Sequence, residues 1–298
     1  MLFKKIIKNI LFLVILFIQL QVYSLIVESD NLAEVYKYID NIHKDLLVVF
    51  DIDNTIAEVS MGIEPWVWYK TEDLVKKGLS HKEAFHLVLS MYFLLTKYTT
   101  LIPLSHSPKI VNNLQKRGYS IIALTNRSIP VIERTIERLK LINIDFSKNS
   151  LYDKDLELNL GYVGRYSKGI IFTGSNDKGE QLFLFLKKIN YTPKKIIMFD
   201  DKMKNIKAVE KAAKEHHVEY VGIRFSLNDQ KKKKFDPKEA EQTVHKLKIK
   251  LGFEPLGSMA SIPVEQRVRK KTVLEVAWDV ITWPYKKIKN LVYTKKEI

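Results

Sequence analysis

Residues 46–55 read Leu-Leu-Val-Val-Phe-Asp-Ile-Asp-Asn-Thr, and this stretch decides how the rest of the chain is interpreted. Its first five residues are all apolar and partly β-branched, which is typical of a short strand buried on both faces of a sheet. Asp51 and Asp53 follow directly, and the two-residue period of an extended chain would send both carboxylates the same way. The stretch therefore predicts a buried strand that delivers a pair of acids to one site.

Apolar runs of the same kind recur along the chain and alternate with helical patterns. The further strand-like runs cover residues 120–124, 195–199 and 220–223. The helical patterns cover residues 107–117, 129–141, 178–189 and 203–216. Because strands that alternate with helices form parallel sheets covered by those helices, we expect an α/β fold with a parallel sheet flanked by helices.

Several segments fall outside this alternation. Residues 60–103 are rich in aromatic side chains and mainly helical in pattern, so we expect an insertion packed beside the sheet. Residues 151–173 contain three glycines and are expected to form loop and hairpin. Asp30 is a suitable N-cap for a helix over residues 31–42. Beyond residue 230 the chain becomes basic, and we expect a largely helical C-terminal extension over residues 231–298.

The first 24 residues have the composition of a secretory signal peptide. Lys4, Lys5 and Lys8 precede an apolar run over residues 10–18, and Ser24 supplies a small residue at a plausible cleavage point. This order of basic, apolar and small residues predicts export to the periplasm or secretion, with residues 25–230 as the main domain. An uncleaved membrane anchor is the alternative.

The composition narrows the classes of protein that fit. Of 298 residues, 46% are apolar and 28% charged, which is the balance of a globular protein. The formal net charge of +15 favours anionic partners, namely phosphate esters, nucleic acid or an acidic membrane surface. The chain contains no cysteine, which excludes disulfides, thiolate zinc sites and cysteine nucleophiles.

Polar residues follow the other predicted strands as well. Thr125, Asn126 and Arg127 end the second strand, Lys178 begins a helix, and Asp200 and Asp201 end the third strand. In open parallel sheets ligands bind beyond the carboxyl ends of the strands, so these groups should converge with Asp51 and Asp53. Clustered carboxylates favour a hard cation, and we expect Mg²⁺.

This set of groups suits phosphoryl transfer. One carboxylate can take the phosphoryl group as a nucleophile, and another can protonate the leaving oxygen and then deprotonate water. A cation, a lysine and a hydroxyl would stabilise the charge on the phosphoryl oxygens.

The residues Asp51-Ile52-Asp53-Asn54-Thr55, Thr125, Lys178 and Asp200-Asp201 resemble, in order and spacing, motifs I to IV of the haloacid dehalogenase superfamily in its phosphatase branch. The resemblance covers about residues 46–225 and extends to a subgroup of exported bacterial proteins known mainly as a domain of unknown function. It implies a Rossmannoid fold, with residues 60–103 as a small helical cap of the C1 type.

The resemblance also implies roles for the site residues. Asp51 would be the nucleophile and Asp53 the general acid and base, and an acid at position 53 argues against dehalogenase chemistry. Thr125 and Lys178 would contact the phosphoryl group, together with the neighbouring Asn126.

The resemblance places Mg²⁺ on the Asp51 carboxylate, the Asp53 carbonyl and an aspartate of motif IV. Asp201 is the preferred ligand there and Asp200 the alternative. Many relatives carry an acid where this chain has Asn205.

The resulting expectation is an exported, Mg²⁺-dependent phosphatase that acts on a small phosphomonoester. The alternative is a secreted or membrane-apposed binding protein on the same scaffold with little turnover. The basic C-terminal extension either packs on the domain or lies on an anionic membrane. Nucleic acid is disfavoured as a partner because the chain has no contiguous basic and aromatic module.

Overall fold

The computed structural model describes residues 23–39, 45–60, 64–95, 99–127 and 129–250, and there it confirms an α/β fold with a mostly parallel sheet flanked by helices. Residues 1–22 of the predicted signal peptide and the extension beyond residue 250 lie outside the described residues.

The strands of the described residues form one large and one small sheet. In chain order they are β1 (Ser24–Ser29), β2 (Leu46–Phe50), β3 (Ala57–Val59), β4 (Leu101–Pro103), β5 (Ser120–Thr125), β6 (Leu156–Glu157), β7 (Arg165–Ser167), β8 (Ile170–Phe172), β9 (Lys195–Asp200) and β10 (Glu219–Phe225). The large sheet has the order β1-β10-β9-β2-β5-β8-β7-β6, and β3 pairs with β4 separately. The first six strands of the large sheet run parallel, whereas β7 and β6 are antiparallel to their neighbours.

The central strands form the core of the large sheet. All five side chains of β2 are buried, as expected for a strand covered on both faces. The Phe50 ring stacks on Phe199 of β9 with a centroid separation of 5.5 Å. The four strands predicted from apolar runs are confirmed, with at most two residues added at an end.

The helices also follow the predicted alternation. They are α1 (Glu64–Lys76), α2 (His81–Leu95), α3 (Ser107–Lys116), α4 (Ile132–Leu141), α5 (Lys178–Lys188), α6 (Met203–Glu215), α7 (Asp229–Lys233) and α8 (Pro237–Lys250). A 3₁₀ turn over Ile129–Val131 precedes α4. Helices α5 and α6 pack on each other, and α6 packs on β9 and β10.

The chain divides into two compact units. Of the described residues, those up to residue 58 and those of 103–227 form one unit, which includes the large sheet, and those of 59–102 and 228–250 form the other. In the second unit α8 packs on α1 and α2, and Lys70 Nζ lies 2.8 Å from Glu241 Oε1. The described start of the C-terminal extension thus belongs with the insertion, an association that the sequence did not suggest. The identity of the insertion as a C1-type cap stays a prediction.

The N-terminal part of the fold differs from the expectation. The helix predicted over residues 31–42 is wrong for the residues that are described: Leu32–Lys37 form a short 3₁₀ helix, and its N-cap is Asn31 instead of Asp30. Before it, β1 adds an edge strand parallel to β10, and β1 begins at Ser24, where the predicted signal peptide ends.

No helix in the described part of the chain combines the length and the apolar character needed to cross a bilayer.

Candidate active site

The predicted site residues meet at the carboxyl ends of three neighbouring strands. Phe50, at the end of β2, is level with Phe199 of β9. Asp51 follows, and its N–H donates to the Phe199 carbonyl at 2.9 Å. Asp200 is the last residue of β9, and Thr125 is the last residue of β5 on the other side of β2. The sheet therefore brings two acids and a hydroxyl to one edge.

Lys178 enters this edge from the first turn of α5. The Asp177 side chain caps the helix by accepting hydrogen bonds from the N–H groups of Gly179 at 2.8 Å and Glu180 at 3.1 Å. A Cβ on Gly179 would collide with the Ala208 carbonyl of α6, so glycine permits the close approach of the two helices. This packing leaves Lys178 only 2% exposed.

The Lys178 ammonium bridges two carboxylates. Its Nζ lies 2.6 Å from Asp51 Oδ1 and 2.7 Å from Asp200 Oδ2. Burial disfavours the charged lysine, but the two carboxylates outweigh burial and raise the pKa of Lys178 above its ordinary value. Lys178 is therefore an ammonium at neutral pH and a permanent cation beside Asp51.

The carboxylates of this edge suit a divalent cation. Asp51, Asp200 and Asp201 are buried, and each offers an oxygen within 4.8 Å of the others. Burial raises the pKa of Asp51 well above its ordinary value, since Asp200 and Asp201 add to the effect and Lys178 only partly opposes it. A divalent cation bound here would allow all three carboxyl groups to be ionised, because the single ammonium of Lys178 balances only one of them. An all-oxygen set with this charge fits Mg²⁺.

Asp200 is held by several donors. Both of its oxygens accept from Asn205 Nδ2, at 2.9 and 3.0 Å, and Oδ1 also accepts from the Lys202 N–H at 2.8 Å. Asn205 thus orients the Asp200 carboxylate. The preference for Asp201 over Asp200 as metal ligand stays a prediction. The hydrogen bond from Lys178 to Asp200 supports it, because that bond occupies one Asp200 oxygen.

Asp53 has a different environment from the other acids. Its Oδ2 accepts from Arg127 Nε at 2.9 Å and its Oδ1 from Arg127 Nη2 at 2.7 Å. The Arg127 guanidinium overcomes the effect of burial and lowers the pKa of Asp53 below its ordinary value. Asp53 is thus ionised at neutral pH, the form that accepts a proton. The predicted metal contact through its main-chain carbonyl stays a prediction.

The two residues predicted to bind substrate after β5 differ in exposure. Thr125 is only 1% exposed, and its Oγ1 accepts from the Arg127 N–H at 3.2 Å. Asn126 is exposed, and its Nδ2 donates to the Gly174 carbonyl at 3.2 Å. Thr125 is therefore placed as part of the site edge, whereas Asn126 lies on a loop beside it.

Two further residues belong to this site. Thr55 is fully buried, and its Oγ1 donates to Asp51 Oδ2 at 3.2 Å, so both oxygens of Asp51 have a donor. Arg127 pairs with Asp53 as described above. The sequence indicated that both residues lie near the site, because Thr55 belongs to the motif over residues 51–55 and Arg127 follows the end of a strand. It did not predict their hydrogen-bond partners.

Known proteins similar to this chain fall into two groups. By sequence it is 24% identical over 214 residues to a protein of Chlamydia trachomatis named "Putative outer membrane protein", covering 68% of this chain and 80% of the relative. It is 25% identical over 246 residues to an uncharacterised protein of Rickettsia prowazekii, covering 74% of this chain and 85% of the relative.

By structure, the chain is similar to a haloacid dehalogenase-like hydrolase of Streptococcus pneumoniae, with a TM-score of 0.40 and 14% identity, covering 59% of this chain and 92% of the other. A protein of Thermotoga maritima named "putative beta-phosphoglucomutase" gives a TM-score of 0.35 at 14% identity, covering 62% of this chain and 98% of the other.

One protein family matches most of the chain. The match to DUF2608, described as a protein of unknown function, extends over residues 28–252 and includes all the site residues described above. This chain belongs to the DUF2608 family.

Proposed function

We propose that this protein is a Mg²⁺-dependent phosphatase of the haloacid dehalogenase type that hydrolyses a small phosphomonoester through an aspartyl-phosphate. The observation that carries the proposal is the placement of Asp51, buried against the Lys178 ammonium and close to two further acids, with Asp53 held separately. A nucleophile beside cations, with a separate acid and base, is what phosphoryl transfer through a covalent intermediate requires.

The reaction would proceed in two displacements. In the first, Asp53 takes up the proton of the bound monoanionic ester, an Asp51 oxygen attacks phosphorus, the bond to the leaving oxygen breaks, and Asp53 passes that proton to the leaving oxygen. In the second, Asp53 accepts a proton from water, the water oxygen attacks phosphorus, and the bond to Asp51 breaks to release orthophosphate.

The other groups of the site would hold the reacting atoms. Lys178 neutralises Asp51 before attack and the phosphoryl oxygens during it. The Thr55 hydroxyl orients Asp51, and the Thr125 hydroxyl is available to the phosphoryl oxygens. Mg²⁺, held by Asp51 with Asp201 or Asp200 and the Asp53 carbonyl, would supply charge for the phosphoryl oxygens.

The test is Mg²⁺-dependent hydrolysis of p-nitrophenyl phosphate by the unsubstituted protein, Asp51→Asn and Asp53→Asn. We expect Asp51→Asn to abolish turnover. Asp53→Asn should lower it by about 10²–10⁴-fold, because the variant loses the general base that takes a proton from water and general base catalysis has this magnitude. Asp155→Asn, at an exposed position outside the site, is the matched control and should keep full activity.

Two results would separate the alternatives. Activity that survives Asp51→Asn would refute the covalent mechanism. A folded protein that binds Mg²⁺ but hydrolyses no phosphomonoester would favour the binding-protein alternative.

Export is a separate part of the proposal. It is supported by the basic and apolar pattern of residues 1–24 and by the naming of Chlamydia relatives as outer membrane proteins. Fractionation of the native host should find the protein outside the cytoplasm. Recovery from the cytoplasmic fraction alone would contradict export. Contact of the C-terminal extension with an anionic membrane stays a prediction.

A further inference from the structure

The four acids of the site fall into two groups in the structure. Among the described residues, the oxygens of Asp51, Asp200 and Asp201 converge, and the Asp53 carboxylate is not part of that cluster. Since Asp53 follows Asp51 by only two residues, its separation needs a cause. Lys178, and a divalent cation when one is bound, would attract a fourth carboxylate to the same place.

Arg127 supplies that cause. Its Nε and Nη2 donate to the two oxygens of Asp53 at 2.9 and 2.7 Å, which is a side-on pair with two parallel hydrogen bonds. Such a pair fixes the orientation of the carboxylate as well as its position, because both groups are planar.

Arg127 is itself anchored at two other points. Its Nη1 donates to Thr135 Oγ1 at 3.0 Å, and Thr135 is buried in α4. Its N–H donates to Thr125 Oγ1 at 3.2 Å, at the end of β5. Only 12% of the Arg127 side chain is exposed. The guanidinium is therefore a fixed part of the site, with all three of its nitrogens engaged.

We propose that Arg127 is a positioning residue, which holds the Asp53 carboxylate apart from the metal-binding carboxylates and oriented for its work on the leaving oxygen. This inference rests on the proposed phosphatase function. The competing role is direct binding of the substrate phosphoryl group by Arg127, and the two roles predict different kinetics.

The first experiment is a kinetic double-mutant cycle with Arg127→Gln, Asp53→Asn and the double variant. Substrates are p-nitrophenyl phosphate, whose leaving group needs no proton, and glycerol phosphate, whose leaving group does. We expect Arg127→Gln to lower kcat about 100-fold on glycerol phosphate and less on p-nitrophenyl phosphate, with KM within about 3-fold. In the Asp53→Asn background, Arg127→Gln should lower kcat on glycerol phosphate by less than about a further 3-fold.

Three more variants separate positioning from a general structural role. Arg127→Lys keeps the charge but loses the two parallel bonds, so it should restore only part of the glycerol phosphate activity. Thr135→Val removes one anchor of the guanidinium and should give a smaller loss with the same dependence on the leaving group. Arg165→Gln, in a pair with Glu157 at 3.8 Å outside the site, is the control and should change neither constant.

A second experiment measures Mn²⁺ binding by electron paramagnetic resonance and needs no turnover. Loss of Arg127 should tighten Mn²⁺ binding in either background because a positive charge is removed. The gain in Mn²⁺ affinity caused by Arg127→Gln should be at least about 3-fold larger with Asp53 than with Asn at position 53, because the released carboxylate can approach the ion.

The outcomes separate the inference from the function on which it rests. The contrary kinetic result is that Arg127→Gln raises KM equally for both esters, by the same factor with and without Asp53→Asn. That result would assign Arg127 to substrate binding and overturn the inference. Equal tightening of Mn²⁺ binding in both backgrounds would also overturn it. A protein with neither turnover nor Mn²⁺ binding would overturn the proposed function, and the inference with it.

Discussion

Lys178 is the residue on which the electrostatics of the site depend most. It is almost fully buried and lies between the Asp51 and Asp200 carboxylates, so its removal leaves two like charges facing each other in the interior. Removal of one partner from a buried ion pair costs about 3–5 kcal/mol, because the remaining charge has no compensation.

We therefore predict that Lys178→Gln lowers the free energy of unfolding by about 3 kcal/mol and turnover by at least about 100-fold. Urea denaturation and p-nitrophenyl phosphate hydrolysis measure the two effects. Lys187→Gln, at an exposed position of the same helix, is the control and should change stability by less than about 0.5 kcal/mol. Turnover within tenfold of the unsubstituted protein would contradict the role given to Lys178.

The sequence predicted that Lys178 would lie at the same sheet edge as Asp51 and Asp200, because ligand-binding groups of a parallel sheet lie at the carboxyl ends of its strands. It did not predict that Asp51 and Asp53 would have separate partners. The two-residue period holds only while the chain is extended, but β2 ends at Phe50 and Asn54 has a φ of 61°. The chain therefore turns within the motif, and the contact of Asp53 with Arg127 depends on this turn.

At the scale of elements, the hairpin between β7 and β8 has a turn with strict requirements. Lys168 and Gly169 have φ angles of 49° and 81°, the signature of a turn with two left-handed residues. A Cβ on Gly169 would collide with the Phe146 main chain, and the Gly169 carbonyl accepts from the Ala123 N–H of β5 at 3.0 Å. The turn is therefore packed against the strand that ends at Thr125.

We predict that Gly169→Ala destabilises the protein by about 3 kcal/mol, because backbone strain and a steric clash add together. Gly161→Ala is a matched control: Gly161 also has a positive φ, 75°, but a Cβ there would meet no atom within 4 Å. That change should cost only about 1 kcal/mol. Equal losses in urea denaturation would contradict the packing described for the turn.

The elements missed by the sequence analysis lack a local signal. β1 follows directly on the apolar leader, so its apolar residues were not separable from that segment. β8 contains only Ile170–Phe172, and its place beside β5 depends on pairing with a strand 45 or more residues earlier. The 3₁₀ helix over Leu32–Lys37 begins with the cap of Asn31 on the Ala33 N–H, one residue later than predicted.

At the scale of the whole molecule, the cluster of acids couples metal binding to folding. A cation that binds only the folded chain stabilises it, by about 2.7 kcal/mol at a concentration 100 times Kd. For a domain of this size, this corresponds to a rise in Tm of about 5–10 °C.

We predict a Mg²⁺-dependent rise of this size at neutral pH in thermal denaturation, and its loss in Asp201→Asn. Because the pKa of Asp51 is raised in the metal-free protein, protons compete with Mg²⁺ as the pH falls toward that pKa. The rise should therefore be smaller at about pH 5 than at neutral pH. A rise that is the same in Asp201→Asn would place the ion elsewhere.

The grouping of the insertion with the start of the C-terminal extension is also a property of the whole molecule. It rests on contacts such as Lys70 with Glu241 and the Tyr69 ring with Phe235, which are more than 160 residues apart in the chain. The sequence of neither segment contains a pattern that predicts contact with the other. Their association is therefore visible only in the folded structure.

The measurement that tests the central claim most directly is the identification of the phosphorylated residue. The protein would be quenched during turnover of a phosphomonoester with Mg²⁺, reduced with borohydride and analysed by mass spectrometry, which detects an aspartyl-phosphate as homoserine. We predict the modification at position 51, dependent on Mg²⁺ and on substrate, and absent from Asp51→Asn. Turnover without modification at position 51, or with modification of another residue, would contradict the account.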